Sequence, residues 1–547
     1  MFRRTDPHAI RYALLLASVS LVALGSSAGI SVAKDDNGQS DFRQDSRCSD
    51  ARDGDRRDPF DHRSFQFEPD SLVVSSSTYD PTQGAVASLV IGSILPGTAT
   101  ATTKAVANND YVQVWNNAKP DGSFGVTSPI ELAVVDPFTG EVCHSLAVPT
   151  DQVVTSFSSK SELGLHLVAG DDGPRLVFMA YAGPGVGALD VSNSDAVAGQ
   201  DPTNPVTFAF GANYAFHRTV VSLDKHGNFA YTPTIAYGGN NGRSALLGPN
   251  GLYYSVGNAN NGNAATFGPS NGTNPDVTET TGLEVINPIN APSASVAIPL
   301  GNSAEVDPLL QFTFGTKMDK PGKDDNFRGV TEFGGALYFT KGSGSNGVNT
   351  VYTVSSLPTL ANAAAATISF VPGFPNLTDP ARPGGHFTPF AVFFANPTTM
   401  YVTDEGSGDA TDAAAHAGLE KWSLVNGTWQ LDYVLTNGLI GTVDTNLFGN
   451  AGRYPDVTTV GLRNLTGIVD EKDGTVTLWA TTSTSSASGD QGADPNKVVR
   501  ITDDLAATTP TLTVMHEAFE TVVGPTYGTV YRGVAYVDRS HSDDDRR

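Results

Sequence analysis

The chain has 547 residues, only 16% of them charged, and 33 Lys+Arg against 57 Asp+Glu leave a net charge of −24. That balance argues against nucleic acid or an anionic membrane surface as partner, because both need a basic footprint; it favours solubility and resistance to self-association. Strand-type periodicity is nearly continuous and no long stretch carries apolar residues at helical spacing. The chain therefore reads as one large all-β domain with 57 Gly and 33 Pro as punctuation.

In chain order, Arg3, Arg4 and Arg11 precede an apolar run from Tyr12 to Leu24 and small residues ending Ser31-Val32-Ala33. This is the layout of a secretory signal peptide over residues 1–33, with cleavage after Ala33 or Ala28. No second apolar run is long enough to span a bilayer, so the expectation is a soluble secreted or periplasmic monomer. Residues 34–65 are a polar, charge-rich arm, 66–538 the folded domain, and 539–547 a charged tail. In an oxidising compartment Cys48 and Cys143 can pair and tie the arm to the domain. Two unpaired thiols are the alternative, since spacing does not set connectivity.

The first predicted strands are Ser71 to Tyr79 and Ala85 to Leu95, then Ala105 to Ala107 with Tyr111 to Trp115. A hairpin follows, Ile130 to Val135 and Glu141 to Val148. The next unit is Leu163 to Ala169, Leu176 to Ala182 and Val186 to Val191, and an extra hairpin spans Arg218 to Ile235. Two further units begin at Arg243 and Arg328, each ten positions ahead of a tyrosine, Tyr253 and Tyr338. Phe390 to Phe394, Met400 to Thr403 and the pair around Asn426-Gly427 form another. Asn-Gly between two β-rich runs is the strongest hairpin signal in the chain, because both central residues must take positive φ. Leu465 to Val469, Thr475 to Thr481 and Val498 to Thr502 make the last full unit, and Val530 to Val537 is a lone strand. Pairing that strand with Ser71 to Tyr79 closes a ring and leaves no sheet edge open. The layout predicts a β-propeller of seven blades, or eight if the Arg218 to Ile235 hairpin counts as one.

The segments SFGVTSP, RGVTEFGGALYFTKGSGSNG, MYVTDEG, GLEKWSLVNGTW, GLRNLTG, STSSASGDQGADPNK and YRGV resemble a group of secreted propeller-like proteins of bacteria and fungi that have no assigned activity. The resemblance covers most of the chain after the leader and implies export and a propeller.

Two sets of residues fall at recurring places. Arg243, Arg328 and Arg532 head inner strands, with Arg218 and Arg463 in looser register, so they are expected to converge on one channel mouth. A guanidinium offers carboxylate, sulfate or phosphate a planar fork of donors, which makes an anionic small molecule or polymer the expected partner. The structural alternative is that each arginine crosses to a neighbouring blade and meets a backbone carbonyl or a carboxylate, Asp404, Glu405, Asp325 or Asp490. Loops after the second strands form the other set. There Asp404, Glu405, Asp409, Asp490 and Asp494 offer hard oxygen ligands for Ca²⁺, at spacings that match no dedicated calcium loop. His386, then His217, are the candidates for proton transfer, against an ordinary structural role for each. The reading that follows is a secreted binding or scaffold protein using its loop-rich face and channel mouth. The alternative is an extracellular hydrolase or lyase acting on an anionic sugar or lactone.

Overall fold

The computed structural model describes residues 66–538 apart from connecting segments, the longest being 94–103, 106–124, 192–216, 259–281, 299–325 and 444–455. The expected leader, arm and charged tail lie outside the described residues. Six antiparallel sheets stand around an axis as blades, each placing its first strand innermost.

Blade 1 is Thr529–Val537, Ser71–Thr78, Ile130–Val135 and Val142–Ala147. Blade 2 is His166–Val168, Arg175–Tyr181, Arg218–Asp224 and Phe229–Thr234. Blade 3 is Gly242–Leu247, Tyr253–Gly257, Gly282–Ile286 and Ser295–Ile298. Blade 4 is Phe327–Phe333, Ala336–Lys341, Thr350–Val354 and Ser369–Phe370. Blade 5 is Pro389–Asn396, Thr399–Asp404, Gly418–Val425 and Thr428–Leu435. Blade 6 is Val457–Asp470, Thr475–Thr484, Val498–Asp504 and Glu520–Val523, with Gly441–Val443 added beside its first strand.

The closing pair is the one the sequence predicts, running from Ser71 opposite Val537 to Thr78 opposite Thr529. The blade count is six, not seven or eight. Ile130–Val135 pairs directly with Ser71–Thr78, so two expected units are one blade. The Arg218 to Ile235 hairpin is no separate blade either; it supplies the third and fourth strands of blade 2. Val186 and Gly187 form a turn and Leu189 bridges Val126, so this stretch does not supply that third strand. In both cases a long connection separates two strands of one sheet, and connection length says little about which strands pair.

Each blade is buried on both faces, so alternate residues of a strand feed different cores. On the second strand of blade 5, Met400 and Val402 pack toward blade 4, whereas Tyr401 packs toward blade 6. The seams are aromatic in places: Phe374 stacks on Trp422 at 4.0 Å between blades 4 and 5, and Trp479 on Tyr536 at 4.8 Å between blades 6 and 1. Asn426 and Gly427 take φ of 52° and 81°, as the hairpin requires. Cys143 is disulfide-bonded, and the chain's other cysteine, Cys48, lies outside the described residues.

The shared ten-residue offset to tyrosine misleads. Tyr338 sits opposite Thr331, and the equivalent ladder position in blade 3 is Tyr254, opposite Leu246. Tyr253 faces the other way, toward blade 2. The hairpin of blade 3 turns through Gly248 to Leu252, longer than the Gly334-Gly335 turn of blade 4, and that difference moves the register.

Candidate functional site: the axial cavity and its arginine collar

Five of the six inner strands share one irregularity. The ladder skips at Arg532 in blade 1, Arg243 in blade 3, Arg328-Gly329 in blade 4, Phe390-Ala391 in blade 5 and Arg463-Asn464 in blade 6. Each is a β-bulge, which re-aims a side chain out of the pleat. Four arginines thereby leave their own blade at one level of the ring.

All four are buried and engaged. Arg243 Nη1 donates to the Phe327 carbonyl at 3.1 Å and to Asn326 Oδ1, both at the start of blade 4. Arg328 Nη2 lies 3.4 Å from Glu405 Oε1, and its guanidinium sits 5.8 Å from the centre of the Phe390 ring on blade 5. Arg463 Nε meets the other oxygen of Glu405 at 3.3 Å. Arg532 donates to Ser77 Oγ at 3.3 Å, to the Ser156 carbonyl at 3.2 Å and to the Phe157 carbonyl. Arg218 is not part of this level. It heads the third strand of blade 2, donates to the Asn240 carbonyl at 2.7 Å through Nε, and stacks over Tyr181.

A hydroxyl on the second strands of blades 1, 4 and 5 completes the joint. Thr340 Oγ1 accepts from Gly329 N at 3.2 Å and donates to the Phe390 carbonyl of blade 5 at 2.6 Å. Thr403 Oγ1 accepts from Ala391 N at 2.9 Å and donates to the Arg463 carbonyl of blade 6 at 2.5 Å. Ser75 repeats the pattern, from Gly533 N at 2.8 Å to the Leu163 carbonyl at 2.7 Å. After Arg328 and Arg532 the next residue must be small, whereas Asn464 follows Arg463. A Cβ on Gly533 would stand 2.2 Å from the Leu163 carbonyl oxygen, and one on Gly329 2.5 Å from that of Phe390.

Along the axis next to this collar lies a cavity of about 140 Å³, walled by residues of all six inner strands. Its polar groups come from different blades. His166 Nε2 of blade 2 is 2.8 Å from Ser244 Oγ of blade 3. Asn464 of blade 6 reaches across; a Cβ on Gly164 would meet its Oδ1 at 2.8 Å and Ser244 Oγ at 3.6 Å. Thr331 and Thr466 add hydroxyls, and Val330, Val392, Leu465 and Ala535 supply apolar wall. Burial pushes His166 down to about 4, so the imidazole is neutral at ordinary pH. Among the described residues no carboxylate lines the cavity.

The other predicted residues fall elsewhere. His386 is exposed, just ahead of the inner strand of blade 5. His217 is half-buried before the third strand of blade 2, and burial, partly offset by a backbone hydrogen bond, holds it below its usual value. Asp404 is enclosed and accepts from Thr388 N at 3.0 Å, Gly406 N at 2.8 Å and Thr388 Oγ1. Asp494 accepts from Thr484 Oγ1 at 3.2 Å. Asp325, Asp409 and Asp490 lie outside the described residues. Among the described residues no group of three or more His, Cys, Asp or Glu side chains is placed to hold a metal ion.

The sequence reading passed over His166 and Ser244. The available signal was positional: Ser244 follows Arg243 as Gly329 follows Arg328, so the small residue after a bulged arginine faces the axis. Nothing local marks His166, which lies on a three-residue strand.

The fold and this cavity define an all-β protein with a six-bladed, propeller-like ring and an axial polar site. No family model matches the chain, and no curated protein matches it. Solved structures similar to it include a GH43 β-xylosidase/α-arabinofuranosidase from a compost microbial metagenome, in complex with xylotriose and calcium-free. That likeness has 10% identity and a TM-score of 0.27, over 56% of this chain and 83% of that one. A GH43_1 enzyme from Xanthomonas citri is similar at 11% identity and a TM-score of 0.28, over 56% and 83% of the two chains. A GH43_12 protein from a capybara gut metagenome is similar at 9% identity and a TM-score of 0.21, over 85% and 91%. Likenesses at this level carry no argument about chemistry.

Proposed function

We propose that this protein is a secreted binding protein that holds a small, uncharged, polar ring compound in its axial cavity. The observation that carries this reading is the joining of neutral polar groups from three blades, His166, Ser244 and Asn464, in one cavity. A cavity near 150 Å³ takes a six-membered ring. Hydroxyl, amide and neutral imidazole groups suit a ligand that both donates and accepts. The arginines of the collar each engage carbonyls, Asn326, Ser77 or Glu405, which favours an uncharged ligand over the anion expected from the sequence. Export rests on the leader-like N-terminus.

A second reading has one observation behind it. Ser244 Oγ and His166 Nε2 stand at 2.8 Å, the geometry of a hydroxyl nucleophile and its base. Among the described residues the cavity offers no carboxylate to orient that imidazole, and a base near 4 is weak.

The experiment is a thermal-shift screen of neutral and charged monocyclic polar compounds on the wild type and on Ser244→Val. A neutral ligand at 100 times its Kd is expected to add about 2.7 kcal/mol of apparent stability, and the variant to lose the effect. Shifts produced by charged compounds alone would overturn the reading. Covalent labelling of Ser244 by a fluorophosphonate would replace it with the hydrolase.

A further inference from the structure

The seam between blades 5 and 6 holds a second polar cluster, none of whose members lines the axial cavity. Asp503, fully buried near the end of the third strand of blade 6, faces three side chains of blade 5. It accepts from Tyr433 Oη at 2.7 Å and from Tyr401 Oη, and Lys421 Nζ lies 3.0 Å from it. Lys421 Nζ also donates to Tyr433 Oη at 3.0 Å and to the Asp504 carbonyl at 2.5 Å. One lysine and one aspartate thus neutralise each other.

The segment Thr511–Phe519 brings one more carboxyl to this pair. It contains the short helix Leu512–His516, capped by Thr511 Oγ1, which accepts from Val514 N at 3.2 Å. Val514 and Phe519 are buried in the core of the seam, while Leu512 and Met515 stand 76% and 63% exposed on the outer side. Asn437 Nδ2 of blade 5 donates to the Glu517 carbonyl at 3.1 Å. The Glu517 side chain turns inward against Asp503, and its Oε2 is enclosed and receives no hydrogen bond among the described residues. An ionised Glu517 would put two negative charges beside one cation, with an oxygen that lacks a donor. A protonated Glu517 donates to Asp503 instead. Burial, then the hydrogen bond and charge of Asp503, push Glu517 up to about 8.

We propose that the segment Thr511–Phe519 is a pH-governed latch across the seam of blades 5 and 6, shut while Glu517 keeps its proton against Asp503 and released when that proton leaves. The sign follows from linkage. An opened segment returns the carboxyl to its ordinary value of 4.5, so between 4.5 and about 8 the shut form binds more protons than the open one. The shut-to-open ratio therefore falls as pH rises through that window, by up to about tenfold per pH unit, and levels off above it. Other groups face Glu517 or the Asp503–Lys421 pair too. Tyr401 and Tyr433 are held above the ordinary tyrosine value, by burial first and by Asp503 next, and stay protonated throughout. Asp432 on blade 5 is raised by burial and accepts from Ser423 Oγ at 2.6 Å. His516, exposed on the segment itself with Nδ1 2.5 Å from the Leu512 carbonyl, is the other ionisable side chain the segment carries.

The test is amide hydrogen exchange of 511–519 in the full chain from pH 5.5 to 8.5, corrected for intrinsic rates, on the wild type, Glu517→Gln and His516→Gln. The opening constant is expected to rise toward about tenfold per pH unit in the wild type and in His516→Gln. In Glu517→Gln it is expected to stay flat and low. A pH-independent opening constant in the wild type overturns the proposal, as does a rise that persists in Glu517→Gln or vanishes in His516→Gln.

Discussion

Arg328 Nη2 lies 3.4 Å from Glu405 Oε1, and the other oxygen of that carboxylate takes Arg463, so blade 5 joins blades 4 and 6 through one side chain. Both guanidiniums are buried, and burial pulls Arg328 downward while Glu405 pulls it back up. Removing one partner from a buried ion pair is costly because the remaining charge stays desolvated.

Arg328→Gln should therefore lower unfolding stability by about 2–3 kcal/mol, less than a complete loss because Arg463 still meets Glu405. Urea denaturation reads this as a lower midpoint at unchanged slope. Little change in stability, together with weakened sulfate or phosphate binding at low salt, would instead assign the collar to anion capture.

Gly533→Ala should cost about 2–3 kcal/mol, because its Cβ meets the backbone of the next blade, which does not move aside cheaply. Gly441 is the control. It has nothing within 4 Å of a built Cβ and no positive φ, so Gly441→Ala should be neutral or stabilise by a few tenths of a kcal/mol. Equal costs at the two sites would refute the close-approach account.

Thr403→Val keeps the shape of the side chain but strands the Ala391 amide and the Arg463 carbonyl. The expected loss is about 2 kcal/mol, since a buried group left unsatisfied costs its full desolvation. If a double-mutant cycle with Arg328→Gln shows coupling, the two joints act as one unit around the ring.

His166 gives a pH prediction with a definite sign. Its folded value near 4 lies below the ordinary 6.5, so between those values the unfolded chain binds the proton that the folded protein refuses. Stability contributed by the neutral imidazole is complete above 6.5 and is lost as pH falls toward 4. His166→Gln should flatten that part of the acid limb in a series of urea titrations. An unchanged limb would mean that the histidine is solvated.

Much of the sheet structure is legible in the residues themselves. The Asn426-Gly427 hairpin, the pairing of Thr529–Val537 with Ser71–Thr78, and the strands between them are written in local chemistry: β-branched and aromatic runs, and glycines where φ is positive. The recurring Arg-Gly and Arg-Ser pairs are visible too, and they do mark one level of the ring. Other features depended on partners far away in the chain. The blade count turned on which strands pair across the long connections 79–129 and 182–217, and the direction of each arginine turned on a bulge that only a ladder can reveal. His166 and Ser244, 78 residues apart on different blades, became neighbours only when the ring closed. Sequence alone determined most of the strands and the closing pair, though not the strands expected at Ala85 to Leu95 and Val186 to Val191, because turn chemistry and two-residue alternation act between near neighbours. Tertiary structure decided the number of blades, the arginine joints and the cavity, because each of those is a contact between inner strands that no local pattern encodes.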